Sequence, residues 1–264
     1  MKNSFGISEL SLIPIRKFPK EQSEMTTQIL FGETFEILEK FENWIKIRIS
    51  FDNYEGWMDK KMFLLISYDC FYEILENESK TKITRNAITK IYDKNNKFIT
   101  FLSAGSNLNF FDKKDLSFKI GKKKFFLKKA ENFKNFKKRD EIVNTAKKFL
   151  NSPYLWGGRS IFGFDCSGFT QIVYKINKIN IPRDAYQQIN LEEKIKFEEA
   201  KYGDLIFFQN KNKKIFHTGI MIENKKIIHC SGKVRIDKID KNGIFDEEKL
   251  LYSHKKTFKF IISL

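Results

Sequence analysis

Apolar and polar side chains alternate along much of residues 1–70. Residues Ile45 to Ile49 alternate strictly, and Phe35-Glu36-Ile37 shows the same period. Turn-forming residues separate these runs, at Gly32, Glu42-Asn43, Asp52-Asn53 and Gly56. Short alternating runs divided by such turns are typical of small barrels of antiparallel strands. We therefore predict a first β-domain over residues 1–70.

The alternation is weaker but still present over residues 71–130. Short strands are indicated at Lys82-Ile83-Thr84 and at Phe98 to Phe101. These runs predict a second small β-domain over residues 71–130. The Lys- and Phe-rich stretch from Lys122 to Arg139 then favours a solvated strand edge and linker over a binding site for a polyanion. It is the predicted boundary to the next domain.

From residue 131 onward the apolar period lengthens to that of a helix. A first helix is predicted from apolar positions at helical spacing, with Asp140 as N-cap: Ile142, Ala146, Phe149 and Leu150. A second helix is predicted to begin after Asp165, with one apolar face formed by Phe169, Ile172, Val173 and Ile176. Strands are predicted afterwards at Leu205–Phe208, Thr218–Ile222, Lys226–His229 and Phe258–Leu264. Helices followed by a sheet predict an α+β catalytic-type domain over residues 131–264.

Length and composition agree with several folded units. The chain has 264 residues and a mass of 31.4 kDa, and 41% of its residues are hydrophobic. That leaves room for two or three compact units with real cores. The charge is 49 − 33 = +16, but only seven of the 49 basic residues are Arg and the Lys are dispersed. Nucleic-acid recognition normally relies on clustered Arg, so no nucleic-acid partner is expected.

The cysteines and the apolar runs indicate the compartment. Cys70, Cys166 and Cys230 are odd in number and widely spaced, which favours a reducing compartment over a disulfide framework. Residues 1–20 show no secretion signal, and the run Met62 to Ile66 is far shorter than the ~20 residues that cross a bilayer. We expect a cytoplasmic monomer without a membrane partner, and export by an unusual route stays open.

Cys166 stands in the predicted first turn of the second helix, within Gly163-Phe-Asp-Cys-Ser-Gly168. Backbone N–H groups at a helix N-terminus stabilise a thiolate, which is the nucleophilic form of cysteine. An inert buried cysteine is the alternative, but such a residue usually lies inside an apolar face. Cys166 is therefore a candidate nucleophile.

Two of the three histidines, His217 and His229, bracket a predicted hairpin whose turn lies near Glu223 to Lys225. An odd-numbered turn places both side chains on the same face. One imidazole can then accept the thiol proton while the other fixes its tautomer. Packing or surface histidines are the alternative.

A zinc site is not expected at this hairpin. His229 and Cys230 are adjacent in a strand and so point to opposite faces, which prevents both from binding one ion. His254 lies in a Lys-rich segment and is expected at the surface.

Six blocks, in order, resemble the NlpC-type cysteine peptidases, which have a papain-like fold and act on cell-wall peptides. The blocks are Tyr154-Leu-Trp-Gly-Gly-Arg-Ser160, Asp165-Cys-Ser-Gly-Phe169, Arg183-Asp-Ala185, Tyr202-Gly-Asp-Leu205, His217-Thr-Gly-Ile220 and His229-Cys-Ser-Gly232. The resemblance covers residues 140–264. Four further segments are similar to the bacterial SH3-like domain that precedes this domain in murein-peptide endopeptidases: Ile13–Arg16, Ser23–Met25, Leu30–Glu33 and Tyr54–Trp57. The fold expected from these resemblances is a papain-like domain, with helices packed on an antiparallel sheet, preceded by two small SH3-like β-barrels over residues 1–70 and 71–130.

The resemblance implies a role for each catalytic residue. Cys166 would be the nucleophile, His217 the general base and His229 the residue that orients it. Tyr154 would place its hydroxyl near the oxyanion site, beside the backbone N–H of Cys166. Aromatic packing is the alternative for Tyr154.

The resemblance also implies substrate-binding residues. Asp165 would bind the free N-terminal amine of the substrate, with helix capping as the alternative. Glu24 and Tyr54 would close the same pocket, with surface exposure or barrel packing as alternatives. Ser167 and Arg183 would line the cleft, with helix capping and a surface ion pair as alternatives.

The activity implied is that of a γ-D-glutamyl-L-diamino acid endopeptidase acting on short murein peptides that begin with free L-Ala. No metal and no organic cofactor is implied. Two other functions stay open from the sequence: an acyltransferase that uses the same Cys-His chemistry, and a cell-wall-binding module. A free-amine requirement would suit recycling of peptides already released from glycan, and the basic surface would speed encounter with acidic peptides.

Overall fold

The computed structural model describes residues 4–131, 139–192, 194–222, 225–240, 242–254 and 258–262, the last range by its backbone. The chain divides into two compact units, residues 1–134 and residues 135–264. Within the described residues, no helix combines the length and apolar character needed to cross a membrane.

The first unit begins with seven strands that form one antiparallel sheet in the order β3-β2-β6-β5-β4-β1-β7. The strands are β1 (Ser4–Ile7), β2 (Leu12–Arg16), β3 (Met25–Leu30), β4 (Thr34–Phe41), β5 (Trp44–Ile49), β6 (Glu55–Asp59) and β7 (Leu64–Ile66). Along β5 the isoleucines are buried, while Lys46 and Arg48 are partly exposed. The predicted period of two is thereby confirmed in this strand.

The remainder of the first unit combines a helix with short strands. Its elements are α1 (Tyr68–Glu76), a 3₁₀ turn (Glu78–Lys80), β8 (Lys82–Ile83), β9 (Ile88–Tyr92), β10 (Phe98–Ser103), β11 (Asn107–Leu108), β12 (Ser117–Ile120) and β13 (Lys123–Phe126). They form a four-stranded sheet, β10-β9-β13-β12, and a two-stranded sheet, β11-β8. Helix α1 was not predicted. Ser67 caps it by accepting a hydrogen bond from the backbone N–H of Cys70.

Two apolar clusters fill the first unit. One lies within the seven-stranded sheet and contains Ile13, Ile15, Ile29, Phe35, Ile37, Ile45, Ile47, Ile49 and Met58. The other joins residues on both sides of position 70, among them Phe5, Ile7, Phe31, Phe71, Ile91, Leu102, Phe118 and Ile120. Residues 71–130 therefore share a core with residues before them. Their description as a separate second SH3-like barrel stays a prediction.

The second unit contains three α-helices and ten strands among its described residues. Its elements are α2 (Arg139–Lys147), β14 (Arg159–Ser160), β15 (Gly163–Phe164), α3 (Cys166–Ile176), α4 (Ala185–Gln188), β16 (Lys194–Ile195), a 3₁₀ turn (Phe197–Glu199), β17 (Leu205–Gln209), β18 (Ile215–Ile222), β19 (Lys226–Ser231), β20 (Lys233–Asp240), β21 (Gly243–Asp246), β22 (Leu251–Ser253) and β23 (Phe258–Ile262). Eight strands form one antiparallel sheet in the order β16-β23-β17-β18-β19-β20-β21-β22.

Both predicted helices and the predicted strands are present in the second unit, but α2 ends at Lys147, so that Phe149 and Leu150 lie in the turn after it. Strand β23 occupies 258–262, and positions 263 and 264 of that predicted strand lie outside the described residues. Positions 223 and 224 of the predicted turn also lie outside them. Asp140 is not an N-cap, because α2 already includes Arg139. Helix α3 is buried from Ser167 to Ile176 and contacts β18 and β19. The helix therefore carries its N-terminus to the strands of the histidine hairpin.

We expect Phe35→Ala to lower the free energy of unfolding of the first unit by about 3–5 kcal/mol, because the ring is fully buried and packs against Phe63 with a centroid distance of 5.4 Å. Phe18→Ala is the matched control, since Phe18 is 55% exposed, and we expect a change within about 0.5 kcal/mol.

Chemical denaturation followed by tryptophan fluorescence measures this difference. In a Trp156→Phe background the remaining tryptophans, Trp44 and Trp57, both belong to the first unit. Equal losses for the Phe35 and Phe18 variants would contradict the packing described here.

Candidate active site

The N-terminus of α3 is fixed by the carboxylate of Asp165. Asp165 is the N-cap, in extended conformation, and its Oδ1 accepts a hydrogen bond from the backbone N–H of Gly168 at 2.7 Å. Its Oδ2 accepts one from the backbone N–H of Gly157 at 2.9 Å. A capped helix start places Cys166 at the first helical position, where backbone N–H groups face outward along the axis.

Glycines allow the β14–β15 hairpin to lie directly against this helix start. A Cβ on Gly168 would come within 2.2 Å of the Gly158 carbonyl oxygen. A Cβ on Gly158 would come within 2.2 Å of the Gly163 carbonyl oxygen. The glycines around Cys166 are therefore required by close backbone approach.

Arg183 completes the surroundings of Asp165 as a buried ion pair. Its Nη1 and Nη2 lie 3.0 and 2.6 Å from the two carboxylate oxygens, and Nη1 also lies 3.0 Å from Oγ of Ser167. Arg183 is 1% exposed, so the surface ion pair considered from the sequence is wrong. The structure brings Asp165, Ser167 and Arg183 together next to Cys166.

His217 and His229 lie on one face of the β18–β19 hairpin. Gly219 pairs with His229 in the antiparallel register, so His217 is two residues away on the same side. Nε2 of His217 lies 2.8 Å from Nδ1 of His229, and both residues are buried. A Cβ on Gly219 would lie 2.8 Å from the Cβ of His229. The glycine therefore leaves the space in which the two rings meet.

Sequence reasoning missed Asp237 on β20. Its Oδ2 lies 2.8 Å from Nε2 of His229, and the residue is 3% exposed. Its Oδ1 accepts a hydrogen bond from Nη2 of Arg235 at 2.9 Å. The period-two pattern of residues 233–240 places Arg235 and Asp237 on one face of the strand, but the pattern alone does not show that this face meets the histidines.

The expectation that His254 lies at the surface is wrong. Its ring is half-buried and stacks on His217 with a centroid distance of 4.3 Å and an interplanar angle of 26°. The ring of Phe216 also stacks on that of His254, with a centroid distance of 5.5 Å. All three histidines of the chain therefore meet in one cluster.

The thiol of Cys166 is protonated at rest. Burial and then the Asp165 charge raise the pKa of Cys166 to about 12, against the opposing effect of the backbone N–H groups of Thr218 and Ser167. The effects that raise this pKa therefore outweigh the stabilisation of the thiolate that is expected from the helix N-terminus. Since Thr218 directly follows His217, its contact with the sulfur places Cys166 beside the strand that carries His217.

His217 is neutral in this environment. Burial, followed by the repulsion that protonated His229 and His254 would exert, holds the pKa of His217 well below its usual value of 6.5. A neutral imidazole beside a neutral thiol can act as a general base at the moment of attack. Both shifts favour an uncharged Cys-His pair over a preformed ion pair.

Tyr154 lies in the same electrostatic environment as Cys166. Burial raises the pKa of Tyr154 far above its usual value, and the negative charges of Asp165 and of an ionised Cys166 act in the same direction, so the hydroxyl keeps its proton. The residue is 37% exposed. The hydroxyl can therefore act as a hydrogen-bond donor at a partly open site.

Glu24 and Tyr54 belong to the first unit. Glu24 lies between β2 and β3, with its carboxylate 3.3 Å from Nζ of Lys17. Tyr54 is half-buried and packs against the apolar cluster of the seven-stranded sheet. Their predicted part in an amine pocket stays a prediction.

We expect the imidazole of His254 to titrate with a midpoint of about 4, and that of His217 well below 6.5, because burial disfavours the protonated form of each. Long-range proton–nitrogen NMR spectra recorded across a pH series measure both midpoints, with His→Gln variants for assignment. The same chain unfolded in urea is the control, where all three histidines are expected near 6.5.

These depressed values also fix the sign of a stability change with pH. Above pH 6.5 His217 and His254 are neutral in both the folded and the unfolded chain, so the free energy of unfolding is not reduced by their protonation. Below pH 6.5 the unfolded chain binds protons before the folded chain does, so the free energy of unfolding falls as the pH approaches 4. A midpoint at or above 6.5 for either residue in the folded protein would contradict the burial described here.

Two family models match the chain. Residues 151–250 match the NlpC/P60 family, and residues 15–62 match the bacterial dipeptidyl-peptidase SH3 domain. The first range contains Cys166, His217 and His229 but not His254. The second range lies within the seven-stranded sheet of the first unit.

Three curated relatives are similar over different lengths. The γ-D-glutamyl-L-lysine dipeptidyl-peptidase of Bacillus cereus is 29% identical over 227 residues, which cover 78% of this chain and 67% of the relative. That of Bacillus subtilis is 42% identical over 92 residues, covering 34% of this chain and 31% of the relative. Dipeptidyl-peptidase 6 of Lysinibacillus sphaericus is 24% identical over 251 residues, which cover 84% of this chain and 87% of the relative. The chain thus spans about a third of the Bacillus subtilis relative's length.

A solved structure shares the fold. The crystal structure of an NlpC/P60 family protein from Bacillus cereus matches with a TM-score of 0.76 at 23% identity, covering 91% of this chain and 96% of that one. The predicted papain-like domain, preceded by an SH3 domain, is confirmed at the level of fold. Residues 151–250 are therefore similar to the NlpC/P60 family and residues 15–62 to the bacterial dipeptidyl-peptidase SH3 domain, as the sequence blocks indicate.

Proposed function

We propose that this protein is a cysteine endopeptidase that hydrolyses the γ-D-glutamyl-L-diamino acid bond of murein peptides with a free N-terminal L-Ala. The NlpC/P60 domain and the peptidase names of its relatives support a hydrolase of peptidoglycan peptides. The observation that carries the cysteine mechanism is the thiol of Cys166 at the start of α3, beside the strand that bears the buried His217–His229 pair.

The first step is attack of Cys166 on the carbonyl carbon of the scissile amide. As the S–C bond forms, the thiol proton passes to His217 and the carbonyl π electrons move to oxygen. The backbone N–H of Cys166 has no partner within α3, since it belongs to the first turn. With the Tyr154 hydroxyl, it supplies a donor pair for the oxyanion.

The intermediate then collapses to an acyl-enzyme. The carbonyl re-forms, the C–N bond breaks, and the leaving amine of the diamino acid takes the proton from His217. A water molecule next gives a proton to His217 and attacks the thioester. Breaking of the C–S bond releases the peptide carboxyl, and the sulfur recovers the proton.

The low basicity of His217 favours the stage at which its imidazolium returns the proton, first to the leaving amine and later to the sulfur. Because burial lowers the pKa of His217, the imidazolium formed during attack is a strong acid toward the leaving amine. Because burial raises the pKa of Cys166, the thiol is not ionised until a carbonyl is present. Proton transfer and attack are therefore coupled.

Recognition of the substrate's free amine is supported by the sequence resemblance. The contacts described for Asp165 are those of a helix cap and of an ion pair with Arg183. An ammonium group would share the Asp165 carboxylate with these donors. A requirement for the amine would limit substrates to peptides already released from glycan, which fits recycling in the cytoplasm.

We expect Cys166→Ala to lower kcat by at least about 10⁴-fold, because the nucleophile is removed. Release of L-Ala-D-Glu from an L-Ala-γ-D-Glu-diamino acid peptide, followed by mass spectrometry, measures the loss. Cys70→Ala is the matched control, since Cys70 lies on α1 in the first unit, and it is expected to keep wild-type activity.

A Cys166→Ala variant that still cleaves the peptide would overturn the mechanism. Adding an amine acceptor distinguishes the acyltransferase alternative, because the acyl group would then appear on the acceptor in preference to water. A chain that binds murein and cleaves none of these peptides would favour the wall-binding alternative.

Acetylating the substrate's N-terminal amine is expected to lower kcat/KM by about 30-fold or more, because a charged group that pairs with a buried carboxylate is lost. The same peptide acetylated on the side-chain amine of its diamino acid is the control and is expected to be affected less. Equal turnover of the free and N-acetylated peptides would remove the amine-binding role of Asp165, Glu24 and Tyr54.

A further inference from the structure

A buried chain of polar groups continues from His217 beyond its partner histidine. Nε2 of His217 lies 2.8 Å from Nδ1 of His229, and Nε2 of His229 lies 2.8 Å from Oδ2 of Asp237. His217, His229 and Asp237 are 5%, 1% and 3% exposed. Both ring nitrogens of His229 are therefore engaged, one by each neighbour, away from solvent.

Asp237 is itself held in place by Arg235. Nη2 of Arg235 donates to Oδ1 of Asp237 at 2.9 Å, and Nη1 and Nη2 reach the carboxylate of Asp246 at 3.1 and 2.8 Å. Burial acts to lower the pKa of Arg235, but the bonds to Asp246 and Asp237 outweigh it and raise that pKa. The guanidinium stays charged, so both oxygens of Asp237 act as acceptors.

These contacts determine where the protons of the two imidazoles lie. A carboxylate oxygen only accepts, so Nε2 of His229 carries a hydrogen. When His229 is neutral it has one N–H, so its Nδ1 accepts and Nε2 of His217 donates to it. Nδ1 of His217 is then left with its lone pair, which is the nitrogen available to take a proton from Cys166.

We propose that Asp237, fixed by Arg235, is a positioning residue that sets the tautomers of His229 and His217 and so makes Nδ1 of His217 the general base. This role concerns the base of the reaction and therefore rests on the proposed peptidase chemistry. Acting through His229, the carboxylate would also stabilise the imidazolium that forms on His217 when Cys166 loses its proton. His254, stacked on the ring of His217, is a further titratable group beside it.

Asp237→Asn tests the role because an amide can donate where a carboxylate cannot. An amide N–H directed at Nε2 of His229 would move the imidazole hydrogen to Nδ1, and His217 would then carry its hydrogen on Nδ1, facing Cys166. We expect kcat for murein peptides to fall by about 10²–10⁴-fold with KM changed little. Asp240→Asn is the matched control: Asp240 lies on the same strand and accepts from the Tyr252 hydroxyl at 2.6 Å, and we expect it to keep wild-type kcat.

Two measurements make no use of a peptide substrate. Proton–nitrogen NMR spectra of the wild-type protein are expected to show His217 and His229 both as Nε2–H tautomers, and Asp237→Asn is expected to convert His229 to Nδ1–H. In a Cys70→Ser, Cys230→Ala background, where Cys166 is the one remaining thiol, we expect Asp237→Asn to slow alkylation by iodoacetamide by about tenfold or more. Asp240→Asn is expected to alkylate at the wild-type rate.

Wild-type spectra that show His217 as the Nδ1–H tautomer would overturn the proposal, and this result needs no variant to fold. Unchanged tautomers together with an unchanged alkylation rate in Asp237→Asn would also overturn it, even with a lower kcat. If the wild-type protein cleaves no murein peptide while the tautomers and alkylation respond as expected, the role of Asp237 stands and the proposed substrate is wrong.

Discussion

The carboxylate of Asp165 is the interaction around which the active site is organised. It joins three separate segments: the loop at Gly157, the first turn of α3 at Gly168, and the segment that carries Arg183. Loss of this carboxylate would remove the ion-pair partner of a buried guanidinium, a change that typically costs several kcal/mol. Because Cys166 follows Asp165 directly, the position of the nucleophile is set by a network that does not itself react.

A second constraint is the register of β18 and β19. Gly219 pairs with His229, and strict alternation along the strands puts His217 on the same face. A slip of one residue would send His229 to the opposite face and separate the two rings. The base is therefore assembled by backbone pairing, and the absence of a side chain at Gly219 gives the rings room to meet.

The sequence predicts those parts of this fold that depend on local pattern. Period-two runs, two helices and the position of Cys166 at a helix start can all be read from neighbouring residues. Helix α1 buries only Phe71 and Ile74, too few apolar positions to indicate a helix. Asp237 and His254 reach the site through pairing of β19 with β20 and through the chain after β22, and no local signal shows which face of those segments is buried.

The protonated resting state of Cys166 has a consequence for the chemical durability of the protein. Oxidation of cysteine to sulfenic and higher acids proceeds through the thiolate, so susceptibility follows the fraction ionised and the access of solvent. With its pKa raised to about 12 by burial and by Asp165, the thiol is almost wholly protonated at neutral pH. The arrangement that delays ionisation until a substrate arrives also keeps the empty enzyme's sulfur poorly reactive toward peroxides, so the nucleophile is stored in a form that resists damage.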